Sequence, residues 1–292
     1  GTVRMGFGHH RIAYSAYTWA QAKGHTAYMH DLLAIESPEC TAIHEMDQKY
    51  SKYSRLSSDL GGIFEWLWGL LMKQGDANSV RSMRRLGEAV MPLMNDLPRD
   101  IPVIASHPLN GHIAVACGFE KVLNLVIDNH PQHFVLVPGA LNLVQGESYY
   151  TQFLQMGVPA ESLAVAGHWV SHDLVTKAEE DCGNRIAWAE KKRPRRILIP
   201  VGGAGAQRNY IVDFVRALAP RLRDGNMRAF INAGDHAHMK VALEALLQEL
   251  DIPYQPILNA AELKAFCESN ALDSDDPSDA KPIALCTFSS HF

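Results

Sequence analysis

The chain has 292 residues, 47% of them apolar and 20% charged, a balance that fits packed cores and leaves room for two domains of ordinary size. Its formal net charge of −5 argues against a nucleic-acid binder. No run reaches transmembrane length and no secretory leader is expected. Five cysteines (Cys40, Cys117, Cys182, Cys267 and Cys286) are scattered without Cys-x-x-Cys spacing, as expected of reduced thiols in the cytoplasm.

In chain order, a glycine-bounded loop comes first: Gly6-Phe7-Gly8-His9-His10. Glycines let a backbone approach a phosphate, and a helix N-terminus offers free N–H groups to an anion. Such a loop normally follows a buried strand, so the native chain is expected to begin upstream. Ile12 to Lys23 reads as a helix stopped by Gly24, and Thr26 to Leu33 as a strand running into Asp31. Residues 42 to 97 have a helical pattern. The apolar stretch Ile63 to Met72 within them reads as a core helix, with a membrane-facing or lipid-acceptor patch as the alternative. Short buried strands are predicted at Ile101–Ala105, Val122–Ile127, Phe134–Pro138 and Leu163–Ala166.

Residues 174–196 are polar, include the basic run Lys191 to Arg196, and read as a connection. The pattern then restarts. A strand at Arg196–Val201 leads into a second loop, Gly202-Gly203-Ala204-Gly205-Ala206-Gln207. Helices at Asn209–Leu222, Met239–Leu250 and Ala261–Ser269 alternate with strands at Met227–Ala233, Tyr254–Ile257 and Pro282–Cys286. Asp273 to Asp279 reads as an acidic loop. The expected domains are 1–173 and 197–292, joined by 174–196, with the second cut short at Phe292. The fold class is α/β, with two Rossmann-like domains facing a cleft.

In parallel α/β sheets, ligands bind at the carboxyl ends of the strands. Histidines recur at the predicted strand ends or in the opening loop: His9 and His10, His107 after Ser106, His130 after Asp128, and His168 after Gly167. A histidine near neutral pKa can take a proton from a hydroxyl, and a carboxylate can orient it or act in its place. Asp128 is the acid at those ends. The second glycine loop would hold a diphosphate leaving group on backbone N–H groups. That combination suits glycosyl transfer. Hydride transfer fits poorly, because neither loop is a clean Gly-x-Gly-x-x-Gly, and no Walker motif is present. His236 and His238 have no third ligand in view, so no metal site is expected.

Taken together, these motifs resemble the GT-B glycosyltransferases that include monogalactosyldiacylglycerol synthase, processive diacylglycerol glucosyltransferases and the lipid I N-acetylglucosaminyltransferase. Gly6 to Ala13 resembles the family's opening Gly-x-Gly-His loop. Ser106-His107-Pro108-Leu109 resembles its His-Pro element, and Ile127 to Pro131 its Thr-Asp element before His-Pro. Gly157 to Gly167 resembles its Gly-Val run, Gly202 to Gly205 its donor loop, and Gly234-Asp235 the end of its next strand. The extra histidine leaves His9 and His10 as alternative bases, and His168 stands where the family has a proline.

The resemblance implies transfer of a sugar from a UDP-sugar to a hydroxyl, including a lipid or lipid-linked one. His9 or His10, with Asp128 and His107, would form the catalytic set. Gly8, Gly202, Gly203, Ala204, Gly205, Gln207 and Gly234 would hold the nucleotide. No cofactor beyond the UDP-sugar and no metal is implied, and the expected location is the cytoplasm, with peripheral membrane contact as a variant. A UDP-sugar 2-epimerase and a non-catalytic nucleotide-sugar-binding protein remain the alternatives.

Overall fold

The structure is a computed structural model that describes residues 8–45, 48, 52, 77–128, 130–202, 207–268 and 281–288. Lys52 apart, these fall into two compact units, one running to Lys177 and the other starting at Ala178. Each unit holds its own four-stranded parallel sheet. The strands containing Val122 and Ile197 therefore lie in different sheets, as the restart of the sequence pattern predicts.

In the first unit the strands are β1 (Val103–Ala105), β2 (Val122–Leu125), β3 (Leu141–Val144) and β4 (Leu163–Val165). They lie side by side in chain order, all parallel. Each strand is added on the same side of the last, and right-handed crossovers then place the connecting helices on one face. These helices are α3 (Pro108–Ala116) and α4 (Glu147–Gln155), and α2 (Ala77–Ala89) packs on α3. Leu109 and Ile113 of α3 close over Val122, and Phe153 of α4 closes over Val144 and Leu163. Gly87 of α2 lies so close to α3 that an added Cβ would sit 2.9 Å from the His112 Cβ.

Two buried asparagines stitch this sheet to the loop between β2 and β3. Asn142 Oδ1 accepts from Val137 N at 2.9 Å and from Asn124 Nδ2 at 2.8 Å. Its Nδ2 reaches the carbonyls of Val137, Ala140 and Ser162, each at 3.2 Å. Asn124 Nδ2 also donates to Val135 O. A buried loop needs such partners, because its backbone groups have lost water.

Helix α1 (Gly8–Ala22) contacts β1 and α5 (His172–Thr176). Its far end is tied down by Trp19 Nε1 donating to Val170 O and by Thr18 Oγ1 accepting from His172 N. The tether fixes where the first turn of α1 stands.

The second unit begins with α6 (Ala178–Glu190), followed by β5 (Arg195–Pro200), α7 (Arg208–Arg223), β6 (Met227–Asn232), α8 (Ala237–Glu249), β7 (Tyr254–Ile257), α9 (Ala260–Glu268) and β8 (Ile283–Cys286). The strand order is β5-β6-β8-β7, all parallel. Period-2 alternation sorts the side chains between two cores. Ile199, Ala229, Ile231, Ile283 and Leu285 meet α7 and α8, while Phe230, Ala284 and Cys286 meet Phe266 of α9. Chain reversal at β7→β8 puts α9 on the opposite face, as right-handed crossovers require. Leu198, on the α9 side of edge strand β5, is 66% exposed.

Several expected elements differ. Thr26 to Leu33 forms no strand: residues 25–31 are irregular, and Leu32–Ala34 is a 3₁₀ turn. β-rich local sequence makes a strand only where a neighbour supplies a ladder, and none lies beside it among the described residues. The apolar run Phe134–Pro138 is a buried loop around a 3₁₀ turn, and the strand is the next segment, Leu141–Val144. There the inward Asn142 disguises the pattern. Helix α1 begins four residues earlier than Ile12, so His9 and His10 are already helical. The stretch 174–196, read as a connection, contains helix α6. The predicted core or membrane-facing segment 63–72 and the acidic loop 273–279 lie outside the described residues.

Candidate active site at the carboxyl edge of the first sheet

Because β1 to β4 are parallel, their carboxyl ends share one edge, and the chemistry-bearing residues gather there. Ser106 and His107 follow β1, Asp128 follows β2, and Gln145 follows β3. The first turn of α1 brings Gly8, His9 and His10 to the same place. His9 Nδ1 lies 2.5 Å from the Ser106 carbonyl oxygen. A carbonyl only accepts, so Nδ1 carries the proton and the lone pair of the neutral ring sits on Nε2. The His9 ring meets the His107 ring edge-on, with centroids 4.6 Å apart. Asp128 is close enough for its charge to act on His9.

His107 has a second task. It caps α3, its Nδ1 accepting from Leu109 N at 3.1 Å, with Pro108 at the first helical position. An N–H pointed at Nδ1 leaves no place for a proton there, so the neutral ring carries its hydrogen on Nε2. Burial, followed by the neighbouring His9 and His112, pushes its pKa down to about 3. Burial also lowers His9, opposed by the Ser106 carbonyl and the Asp128 charge. His112, buried in α3, is lowered by burial as well.

These depressed values make stability pH-dependent. The folded form binds fewer protons than the unfolded chain between the unfolded histidine value of 6.5 and the folded value of about 3. The contribution of neutral His107 is therefore complete above pH 6.5 and is lost as pH falls toward 3. It amounts to about 2 kcal/mol by pH 5. His107→Asn keeps an oxygen to cap α3 but cannot titrate. Urea unfolding at pH 7 and pH 5 will show a smaller loss of stability for this variant than for wild type; equal losses would mean that His107 is not held neutral.

His10 turns away from His9. Its Nε2 pairs with Asp31 Oδ2 at 3.2 Å. Asp31, expected at a strand end, thus comes in from an irregular segment to orient His10. Gln145 is a site residue that the sequence reading missed. Its Nε2 donates to the Ile127 carbonyl at 2.5 Å, bracing the backbone just before Asp128. Recognising β3 from the sequence would have placed Gln145 at a strand end. His130 and His168 are exposed at the same edge, without a described contact to His9 or His107.

In the second unit, Gly202 follows β5, and Gln207 caps α7 in the left-handed conformation at φ 65°. The helix does open directly after the second glycine loop; Gly203, Ala204 and Gly205 lie outside the described residues. Gly234 follows β6 at φ +58°, its N–H donating to Asn232 Oδ1. The His236 and His238 rings are 5.8 Å apart, and among the described residues no three metal-ligating side chains cluster. No helix among the described residues is long and apolar enough to cross a membrane.

Fold and site define a parallel α/β protein with an ordered histidine pair beside a carboxylate at a sheet edge. The chain belongs to the family described as Domain of unknown function (DUF6937), whose model matches residues 1–155. Residues 158–292 match a second family model, Domain of unknown function (DUF6938). Strand β4 falls in the second match but pairs into the first sheet. No curated protein and no solved structure matches the chain.

Proposed function

We propose that the protein is a glycosyltransferase that moves a sugar from a UDP-sugar to an acceptor hydroxyl, on two Rossmann-like domains of the GT-B kind. The observation that carries this reading is the setting of His9. Its Nδ1–H is spent on the Ser106 carbonyl, which directs basicity to Nε2, and Asp128 lies close enough to stabilise the charge that proton uptake would create. His9, rather than His10, is then the base that takes the acceptor proton as the glycosidic bond forms and UDP departs. The helix N-terminus at Arg208, preceded by the glycine loop, is suited to the departing diphosphate. The motif resemblance supports glycosyl transfer and leaves the choice between His9 and His10 to the geometry.

Incubation with UDP-glucose, UDP-galactose and UDP-N-acetylglucosamine, each with lipid and soluble acceptors, tests the proposal by mass spectrometry. A glycoside with released UDP is expected. An epimerised sugar nucleotide would replace the reading with isomerisation, and binding without turnover would reduce the protein to a nucleotide-sugar carrier.

The nucleotide site has a separate check. A Cβ on Gly202 meets no described residue within 4 Å, so the described fold leaves room for a valine there. Gly202→Val will weaken UDP binding by about 2–3 kcal/mol, the scale of one or two lost charge-assisted hydrogen bonds, without moving Tm. Calorimetric titration decides it: unchanged affinity would make the loop a structural turn only.

A further inference from the structure

The two histidines at the sheet edge are fixed in opposite senses by the backbone. His9 gives its Nδ1 hydrogen to the Ser106 carbonyl, and His107 takes the Leu109 amide hydrogen on Nδ1. One ring is left with a lone pair on Nε2, the other with a hydrogen there. Both residues are half-buried, their rings are 4.6 Å apart, and neither Nε2 makes a hydrogen bond among the described residues. We propose that His9 and His107 act as a matched acceptor and donor for a single neutral hydroxyl group, whose hydrogen points to His9 Nε2 and whose oxygen receives the His107 Nε2–H.

The chemistry selects a hydroxyl over an anion. A carboxylate has no hydrogen for His9, and a carboxylate or a phosphate alike would face the negative charge of Asp128. An ammonium has no lone pair for His107. A hydroxyl satisfies both rings at once and keeps doing so as it loses its proton to His9, because the growing charge on oxygen strengthens the bond from His107. His107 is thereby a donor that stays neutral beside a base that becomes charged. A second histidine able to protonate would oppose that charge. Its hold on Leu109 N and its burial keep it uncharged. The inference deepens the transferase reading by giving His107 a role distinct from proton removal.

The test is nitrogen NMR of histidine-labelled full-length protein at pH 7, with His9→Ala and His107→Asn for assignment. His107 should show an unprotonated Nδ1 and His9 an unprotonated Nε2. Glycerol, as a neutral hydroxyl probe, should shift both Nε2 signals, and inorganic phosphate should not. In His107→Asn, which retains the helix cap, the glycerol shift of His9 should fall several-fold. A His107 that is protonated on Nδ1, or phosphate shifting both rings, would overturn the proposal. So would an absence of any glycerol response. If the tautomers and the glycerol response hold while no UDP-sugar is consumed, the transferase reading fails and the hydroxyl-binding pair stands.

Discussion

His9→Ala will lower the rate of sugar transfer by about 10²–10⁴-fold, the range over which a positioned general base acts. The loss should appear in kcat, with the KM for the UDP-sugar little changed, because the base acts on the acceptor. His9 sits in the first turn of α1, whose other end is held by Trp19 and Thr18, so the helix should survive the change. His10→Ala breaks the pair with Asp31 and removes no group from the His9–His107 contact, so its effect should be smaller. Steady-state rates of both variants separate the two histidines, and a larger loss in His10→Ala would transfer the role of base to His10. The pH profile adds a sign. His9 lies below its ordinary value through burial, so activity that needs its neutral form should persist to pH values at which a free histidine is already half protonated.

The largest stability effect is expected at Asn142. Asn142→Ala removes the acceptor of the Val137 amide and one partner of Asn124, and withdraws a donor from three carbonyls. A buried amide left unsatisfied costs about 1–3 kcal/mol, and the vacated volume adds to it, so a loss of about 3 kcal/mol is expected in urea unfolding. Asn142→Asp should be no milder, since a carboxylate would face the carbonyls of Val137, Ala140 and Ser162. Gln152→Ala, on the exposed face of α4, serves as the control and should change stability by no more than about 0.5 kcal/mol. A loss at Asn142 no larger than that would mean that the loop between β2 and β3 does not depend on this network.

The restart at Arg195 shows what local pattern can establish. An apolar strand, a glycine loop and an amphipathic helix follow one another in sequence, and each is specified within a few residues. Helices α7, α8 and α9 and strands β5 to β8 accordingly fall within a residue or two of where periodicity puts them. The gathering of His107 and Asp128 at one edge was also legible, since residues after parallel strands must share an edge.

Other features depended on partners distant in sequence. Thr26 to Leu33 has strand-like residues but no neighbouring ladder among the described residues, and Leu141–Val144 is a strand although an asparagine faces its core. Both outcomes turn on what lies alongside. The sequence offered His9 and His10 as equals, one residue apart and alike in chemistry. On a helix, adjacent residues point about 100° apart. The fold therefore sends His9 to the Ser106 carbonyl and the His107 ring, and His10 to Asp31. Sequence alone determined which residue types the sheet edge would hold. Tertiary structure decided which nitrogen of each ring carries the hydrogen, because that is set by the backbone carbonyl or amide each ring meets.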